Sequence, residues 1–285
     1  MEDYRTRAYA KINLGLDVVK RLPSGYHQVE MIMQAIGIYD ELTFEKTEKN
    51  ITVSTDSREL PTDENNLVFK AAKYMFHKYS ISSGLHVRLC KKIPIAAGLA
   101  GGSTDAAATI KGINRLYRLD LPLSQLMEDG ASIGADVPYC ILGGTALAEG
   151  IGERLTPLPA LPPCRILVAK PDISVSTKFV YEHLDLQALS CHPDIRGMAG
   201  ALQTGSLDGV LSRMGNVLET VTVPAYPVIA SLKEQMLRLG AAGSLMSGSG
   251  PTVFGIFQDP ECARAAYGQM SEAGLAKQLF LTSAV

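Results

Sequence analysis

Pro94-Ile95-Ala96-Ala97-Gly98-Leu99-Ala100-Gly101-Gly102-Ser103-Thr104-Asp105 is a run almost without side chains that leads straight into a helical pattern. Behind it, small or apolar residues recur at Ala106, Ala107, Ile110, Ile113 and Leu116, the three-to-four spacing of one helix face. The pattern places Ser103 at the N-cap and Asp105 in the first turn, where the helix dipole favours a carboxylate. The glycines lack Cβ atoms, so backbone N–H groups can approach an anion closely. The helix N-terminus adds unpaired donors and about half a positive charge. Physically this is a phosphate cradle. Taken alone, the same residues also read as a flexible loop between a strand and a buried helix. Leu85–Ile93, with Leu85, Val87 and Leu89 alternating, reads as the strand that feeds the loop, and Pro94 closes it.

The common cradles do not fit. The chain has no G-x-x-x-x-G-K-S/T tract, no G-x-G-x-x-G after a strand, and neither the H-R-D nor the D-F-G tract of protein kinases. At 285 residues it has room for two modest domains or one large one. A hydrophobic content of 46% with 20% charged residues is ordinary for a soluble globular protein. The net charge of −2 supplies no broad basic field for nucleic acid or an anionic membrane. Cys90, Cys140, Cys164, Cys191 and Cys262 are scattered, odd in number and free of any C-x-x-C pair, which predicts a reducing compartment rather than a disulfide framework or zinc cluster. The acidic start Met1-Glu2-Asp3 has no apolar core behind it and predicts no secretory leader. Uncharged runs such as Val137–Ala148 fall far short of the ~20 residues of a membrane span. The expectation is a cytoplasmic soluble protein with neither nucleic-acid nor membrane partners.

Along the chain, Ala8–Val19 alternates, Pro23-Ser24-Gly25 turns, and Val29–Glu45 reads as a long strand. A helix is predicted over Asn65–Tyr79, with Leu67, Ala71, Tyr74 and Met75 at helical spacing. Another is predicted from Ser103 to Tyr117, and a short one capped by Ser124 and ending near Gly134. Beyond Asp136 strands are expected around Gly143-Gly144 and Leu147. Pro157, Pro159, Pro162 and Pro163 forbid helix and central strand and mark a junction between domains 1–158 and 164–285. After it, Arg165–Lys170 reads as a strand, and Ser176–Leu184, Leu207–Glu219 and Tyr226–Leu239 as helical. Gly243–Phe257 reads as a hairpin, followed by a helix from Glu261. Two α+β domains fit this order.

Several further residues are candidates for chemistry. Met246-Ser247-Gly248-Ser249-Gly250-Pro251-Thr252 is a hairpin loop by itself, but two anion-compatible loops suit convergence on one polyphosphate. Lys11 shares a strand face with Tyr9 and Asn13, opposite Ala10, Ile12 and Leu14; on pattern alone it is equally a solvent-facing lysine. Asp136 reads as an ordinary loop carboxylate and His27 as a turn residue unless other evidence assigns them. No histidine pair has metal-ligand spacing, so no zinc site is expected.

Three tracts, Ala10-Lys11-Ile12-Asn13-Leu14, Pro94 to Ser103, and Met246 to Thr252, stand in the order and spacing of the GHMP small-molecule kinases, and the chain resembles that family over nearly its whole length. The family often has glycine where this chain has Ala96, Ala97 and Ala100. Gly25-Tyr26-His27, the doubled Gly101-Gly102 before Ser103, and Gly134-Ala135-Asp136-Val137-Pro138 point to a member acting on a cytidine diphosphate derivative of a methylated sugar alcohol. The resemblance implies a ribosomal-S5-like N-terminal domain, a ferredoxin-like C-terminal domain and an active site between them. It implies ATP as phosphoryl donor, with Mg²⁺ held mostly by phosphates and water. ATP would rest on Pro94, Ile95, Ala96, Ala97, Gly98, Leu99, Ala100, Gly101, Gly102, Ser103 and Thr104, with Asn66 and Leu67 at the adenine. Lys11 and Asp136 would be catalytic, and Asn13, Tyr26, His27 and Tyr181 would bind the acceptor, no protein side chain being assigned to metal. A base stacked between Tyr26 and Tyr181 is expected, although Phe179 lies only two residues from Tyr181. A homoserine or mevalonate kinase of the same family, an S5-like nucleic-acid binder and a non-catalytic nucleotide sensor are the alternatives. Gly25-Tyr26-His27, the near-neutral charge, and the joint presence of Lys11 and Asp136 weigh against these in turn.

Overall fold

The computed structural model describes residues 3–285. Along the chain run β1 (Asp3–Arg21), β2 (His27–Thr47), β3 (Ile51–Thr55), α1 (Leu67–Lys78), β4 (Gly84–Cys90), α2 (Gly101–Leu116), α3 (Leu123–Ala131) and α4 (Val137–Leu142). They are followed by β5 (Thr145–Gly150), β6 (Arg154–Leu158), β7 (Arg165–Lys170), α5 (Thr177–His183), α6 (Ile195–Gln203), α7 (Leu207–Leu211) and β8 (Gly215–Asn216). The chain ends with α8 (Glu219–Ala225), α9 (Val228–Arg238), β9 (Gly243–Met246), β10 (Val253–Phe257), α10 (Pro260–Glu272) and β11 (Gln278–Thr282). This is a two-domain α+β fold. Its contacts divide into two compact units, one made of the chain up to Ala10, Ile38–Ile95 and Ala100–Gly143, the other of Lys11–Gly37, Ala96–Leu99 and Gly144–Val285. Strands β1 and β2 contribute to both.

In the first unit β4 pairs antiparallel with the end of β2, from Glu41 opposite Cys90 to Thr47 opposite Gly84, and parallel with β3. Leu42, Phe44, Leu85, Val87 and Leu89 line the buried face, and α1 and α2 bring Ala71, Met75, Ala107, Ile110 and Ile113 onto it. Asn66 starts α1 as its N-cap, its Oδ1 accepting the Val68 N–H at 2.8 Å. Strand β4 ends at Cys90, short of the predicted Ile93. The Asp40 carboxylate takes the N–H groups of Lys92 and Ile93, so no partner strand receives them. Helix α3 begins at Leu123 rather than at a Ser124 cap, because the Pro122 carbonyl already accepts the N–H groups of Gln125 at 3.0 Å and Leu126 at 3.2 Å. The strand expected around Gly143-Gly144 and Leu147 is β5, and α4, with Pro138 in its first turn, lies between it and Asp136.

In the second unit β5 pairs antiparallel with the start of β2, β6 lies outside β5, and β8 adds parallel to β1 with Gly15 opposite Gly215. Pro157 sits in β6, which has no neighbour beyond it, the one kind of strand that tolerates a missing donor. A second, four-stranded antiparallel sheet has the order β11-β7-β10-β9. Its β10 is buried at all five positions, Phe254 and Phe257 among them, and α9 and α10 pack on this sheet. The single helix predicted over Leu207–Glu219 is instead α7, the two-residue β8 and the start of α8. The Gly215–Asn216 backbone is drawn into pairing with β1, which breaks the helix.

Candidate active site

Left-handed residues alternate along the Gly/Ala loop: Ala96 (φ 50°), Gly98 (φ 73°) and Ala100 (φ 56°). The turn at Ala100 starts α2 two residues earlier than the sequence suggested. Its carbonyl already accepts the Thr104 N–H at 2.9 Å. Ser103 is therefore the third residue of the helix and not its cap, and no side chain caps this end. By helix geometry the amides of Gly101, Gly102 and Ser103 lack intrahelical acceptors, so a sixteen-residue helix points bare donors into the loop. Asp105 is displaced with them, out of the first turn and into the buried second one.

There Asp105 meets a residue that sequence reasoning passed over. Lys91 Nζ donates to Asp105 Oδ2 at 2.8 Å and to the buried Asp40 carboxylate. Burial disfavours the Lys91 ammonium, but Asp105 and Asp40 more than offset this and raise its pKa. Asp105 goes well above the usual carboxylate range, because burial and the neighbouring Asp40 charge outweigh Lys91. Its Oδ1 has no hydrogen-bond partner. The cluster ties the end of β2, the chain entering the loop and the second turn of α2 to one ammonium. An aspartate inside the apolar run of β2 was its only trace in the sequence.

In the second unit Lys11 is not the solvent-facing lysine its strand pattern allowed. It is 5% exposed, its Nζ donating to Asn13 Oδ1 at 2.6 Å and its N–H to the Leu99 carbonyl at 3.1 Å. The tract between β9 and β10 reaches the same place. Ser247 Oγ donates to the Gly98 carbonyl at 3.0 Å, and a Cβ on Gly248 would lie 3.5 Å from Lys11 Nζ and 3.6 Å from Asn13 Oδ1. Gly98 itself has no room for a side chain, since a Cβ there would sit 2.3 Å from the Ser247 carbonyl oxygen. The two Gly-rich tracts thus touch at residues 98 and 247–248, beside the Lys11–Asn13 pair.

His27 at the start of β2 packs on Tyr181 of α5, ring centroids 5.1 Å apart and planes 34° apart. Burial, then the Arg21 charge, lowers the His27 pKa. Phe179 is occupied elsewhere, 4.1 Å from the His183 ring, so Tyr181 is the α5 aromatic that meets His27. Tyr26 is 62% exposed. In the first unit the Asn66 side chain is committed to α1, capping Val68 and donating to the Pro61 carbonyl at 2.7 Å. Asp136 is half-buried immediately before α4, and its side chain does not cap that helix.

The model of the GHMP kinases N terminal domain matches residues 66–144, and that of the GHMP kinases C terminal matches residues 198–276. The chain belongs to the GHMP kinases. Among curated relatives, a 4-diphosphocytidyl-2-C-methyl-D-erythritol kinase of Lachnospira eligens is 52% identical over 99% of this chain and 98% of its own length. One of the same name from Lachnoclostridium phytofermentans is 49% identical over 99% and 97%. Among solved structures, a 4-(cytidine 5'-diphospho)-2C-methyl-D-erythritol kinase superposes with a TM-score of 0.85 at 30% identity, covering 99% of both chains. A homoserine kinase from Cytophaga hutchinsonii (TM-score 0.81, 21% identity, 100% and 95% covered) shares the GHMP kinase fold alone.

Proposed function

We propose that this GHMP kinase transfers the γ-phosphoryl group of ATP to the 2-hydroxyl of 4-diphosphocytidyl-2-C-methyl-D-erythritol, a step of isopentenyl diphosphate biosynthesis. The observation that carries this reading is the 52% identity, over 99% of the chain, to a kinase of that name. Local geometry supports it. The loop Pro94–Thr104, with its bare helix amides, suits the ATP phosphates, and Asn66 and Leu67 at the start of α1 suit the adenine. In the transfer, the acceptor oxygen bonds to the γ-phosphorus as the β,γ-bridging oxygen leaves with ADP, and the hydroxyl proton passes to Asp136. Lys11, held by Asn13, stabilises the developing charge. Such transfers depend mostly on positioning and charge neutralisation. The lowered His27 pKa favours the neutral imidazole, which can donate and accept at a cytosine edge. His27 and Tyr181, already in contact, offer a continuous surface rather than a slot, with the exposed Tyr26 beside His27 in sequence as a second aromatic face.

Among the described residues no group of three or more His, Cys, Asp or Glu side chains suits a metal ion. A magnesium ion fits here as part of the nucleotide, held by phosphate oxygens and water, where it would neutralise charge on the transferring group. We take 1–158 and 164–285 as the domain limits; one family model falls in each. We place the enzyme in the cytoplasm, a reading supported by the free cysteines; among the described residues no helix is long and apolar enough to cross a membrane. The test is product identity. Incubation with ATP and the cytidine substrate should yield ADP and a phosphomonoester whose new ³¹P signal shows no three-bond ¹H splitting, because carbon 2 bears the methyl group and no hydrogen. A phosphate on another hydroxyl would refute the assignment.

A further inference from the structure

Beyond Met246, the tract Ser247–Gly250 has little side-chain bulk of its own with which to hold a position beside Lys11, yet Met246–Gly250 is buried throughout. Its anchor lies elsewhere in the second unit. Asn216, in the two-residue β8, is 7% exposed, and its Nδ2 donates to the Met246 carbonyl at 2.9 Å and the Gly248 carbonyl at 2.7 Å. Its Oδ1 accepts the Leu218 N–H at 3.0 Å, which fixes the amide's orientation. Three residues on, Glu219 Oε1 accepts the Met246 N–H at 2.8 Å while Oε2 pairs with Lys233 at 2.5 Å. Met246 is thus gripped at both its N–H and its C=O, and Gly248 at its C=O. Beyond those grips stand Ser247 Oγ, donating to Gly98, and the Gly248 Cα, against Lys11 and Asn13. Among the described residues no other polar side chain bonds to the Met246 or Gly248 backbone.

We infer that Asn216 and Glu219 are positioning residues for phosphoryl transfer: they set the tract 246–250 against Gly98 of the phosphate loop and against Lys11. Neither touches the reacting atoms. They act through the backbone they hold, and β8 carries that hold to β1, the strand of Lys11, through the Gly15–Gly215 and Leu16–Asn216 pairs. The inference rests on ATP binding by this site and does not depend on which alcohol is the acceptor.

The test uses Asn216→Ala, Glu219→Ala and Glu219→Gln in the full chain. ATP affinity is measured by calorimetry with ATP and magnesium chloride, and KM for each substrate by ADP release. Losing these buried bonds should weaken ATP about tenfold or more in Asn216→Ala and several-fold in Glu219→Ala. KM for the acceptor alcohol should change less than KM for ATP, and Glu219→Gln, which keeps the acceptor oxygen, should recover most of the loss. If Asn216→Ala does not fold, the Glu219 pair decides the matter alone. Folded alanine variants with parental ATP affinity would overturn the inference, as would losses that merely track the folded fraction or that glutamine fails to recover. A parent enzyme that binds ATP but ignores the cytidine substrate would refute the proposed function and leave this test intact.

Discussion

Gly98→Ala is the smallest change that tests the geometry of the phosphate loop. Gly98 has φ 73°, a region in which an L side chain costs roughly 1–2 kcal/mol. The added Cβ would stand 2.3 Å from the Ser247 oxygen and 3.1 Å from that of Gly250. Carbon contacts are optimal near 3.5 Å, so the Ser247 carbonyl must retreat by about 1 Å. That carbonyl accepts the Gly250 N–H at 2.9 Å, and the Ser247 hydroxyl holds the Gly98 carbonyl at 3.0 Å. Weakening both adds about 0.5–1.5 kcal/mol each, for a total of roughly 2–5 kcal/mol. Urea unfolding should show part of this loss, and calorimetric ATP titration of the folded variant should show affinity reduced about tenfold or more. Ala100→Gly is the control, because it removes a side chain from a left-handed residue (φ 56°) and should weaken neither. A Gly98→Ala protein with parental stability and parental ATP affinity would refute the contact between the two tracts.

Gly102→Ala should separate binding from folding: its Cβ meets only the flexible Leu67 side chain, at 3.2 Å, and alanine favours the helix by about 1 kcal/mol, so stability should hold in thermal melts while ATP affinity falls. Lys91→Met leaves Asp40 and Asp105 buried without their cation and should cost about 3–5 kcal/mol in urea unfolding. The Asp105 carboxyl sits well above its ordinary range in the folded chain, so its contribution to stability is present below pH 3.8 and lost as pH rises above that value; Asp105→Asn, which does not titrate, should flatten that part of the stability–pH curve. Asp136→Asn should lower kcat about a hundredfold or more with little change in ATP affinity, and turnover within a few-fold of the parent would remove it from the mechanism. His27 has a folded pKa below its ordinary 6.5, so its contribution to stability is present above pH 6.5 and lost as pH falls below it; His27→Gln should flatten that part of the stability–pH curve, and Tyr181→Ala should weaken the cytidine substrate about ten- to hundredfold with ATP unaffected.

What the sequence made legible was whatever is encoded locally. The alternation of Ala8–Val19, the helix around Ala71 and Met75 and the strand Arg165–Lys170 are all governed by neighbours within a few residues, and the structure has elements there. The start of α2 was misplaced because it depends on Ala100 adopting a left-handed turn, which alanine's preferences argue against. Strand β8 has two residues and exists only because β1 lies beside it, so no local window could reveal it. Side chains whose partners are distant in sequence were missed for the same reason. Asn216 grips Met246 and Gly248, and Asp40 grips Lys91 to Ile93, across separations that leave no periodicity. The burial of Lys11 is the sharpest case. Its strand alternation assigned it to the face opposite Ala10 and Ile12, and only the fold shows that both faces are covered there.

The central claim is the acceptor, and ADP release measured side by side with 4-diphosphocytidyl-2-C-methyl-D-erythritol, homoserine and mevalonate tests it most directly. The account expects kcat/KM for the cytidine substrate to exceed the other two by at least about a thousandfold, because each lacks the base that His27 and Tyr181 would bind. Comparable turnover of homoserine or mevalonate, or no turnover of the cytidine substrate by an enzyme that binds ATP, would contradict it.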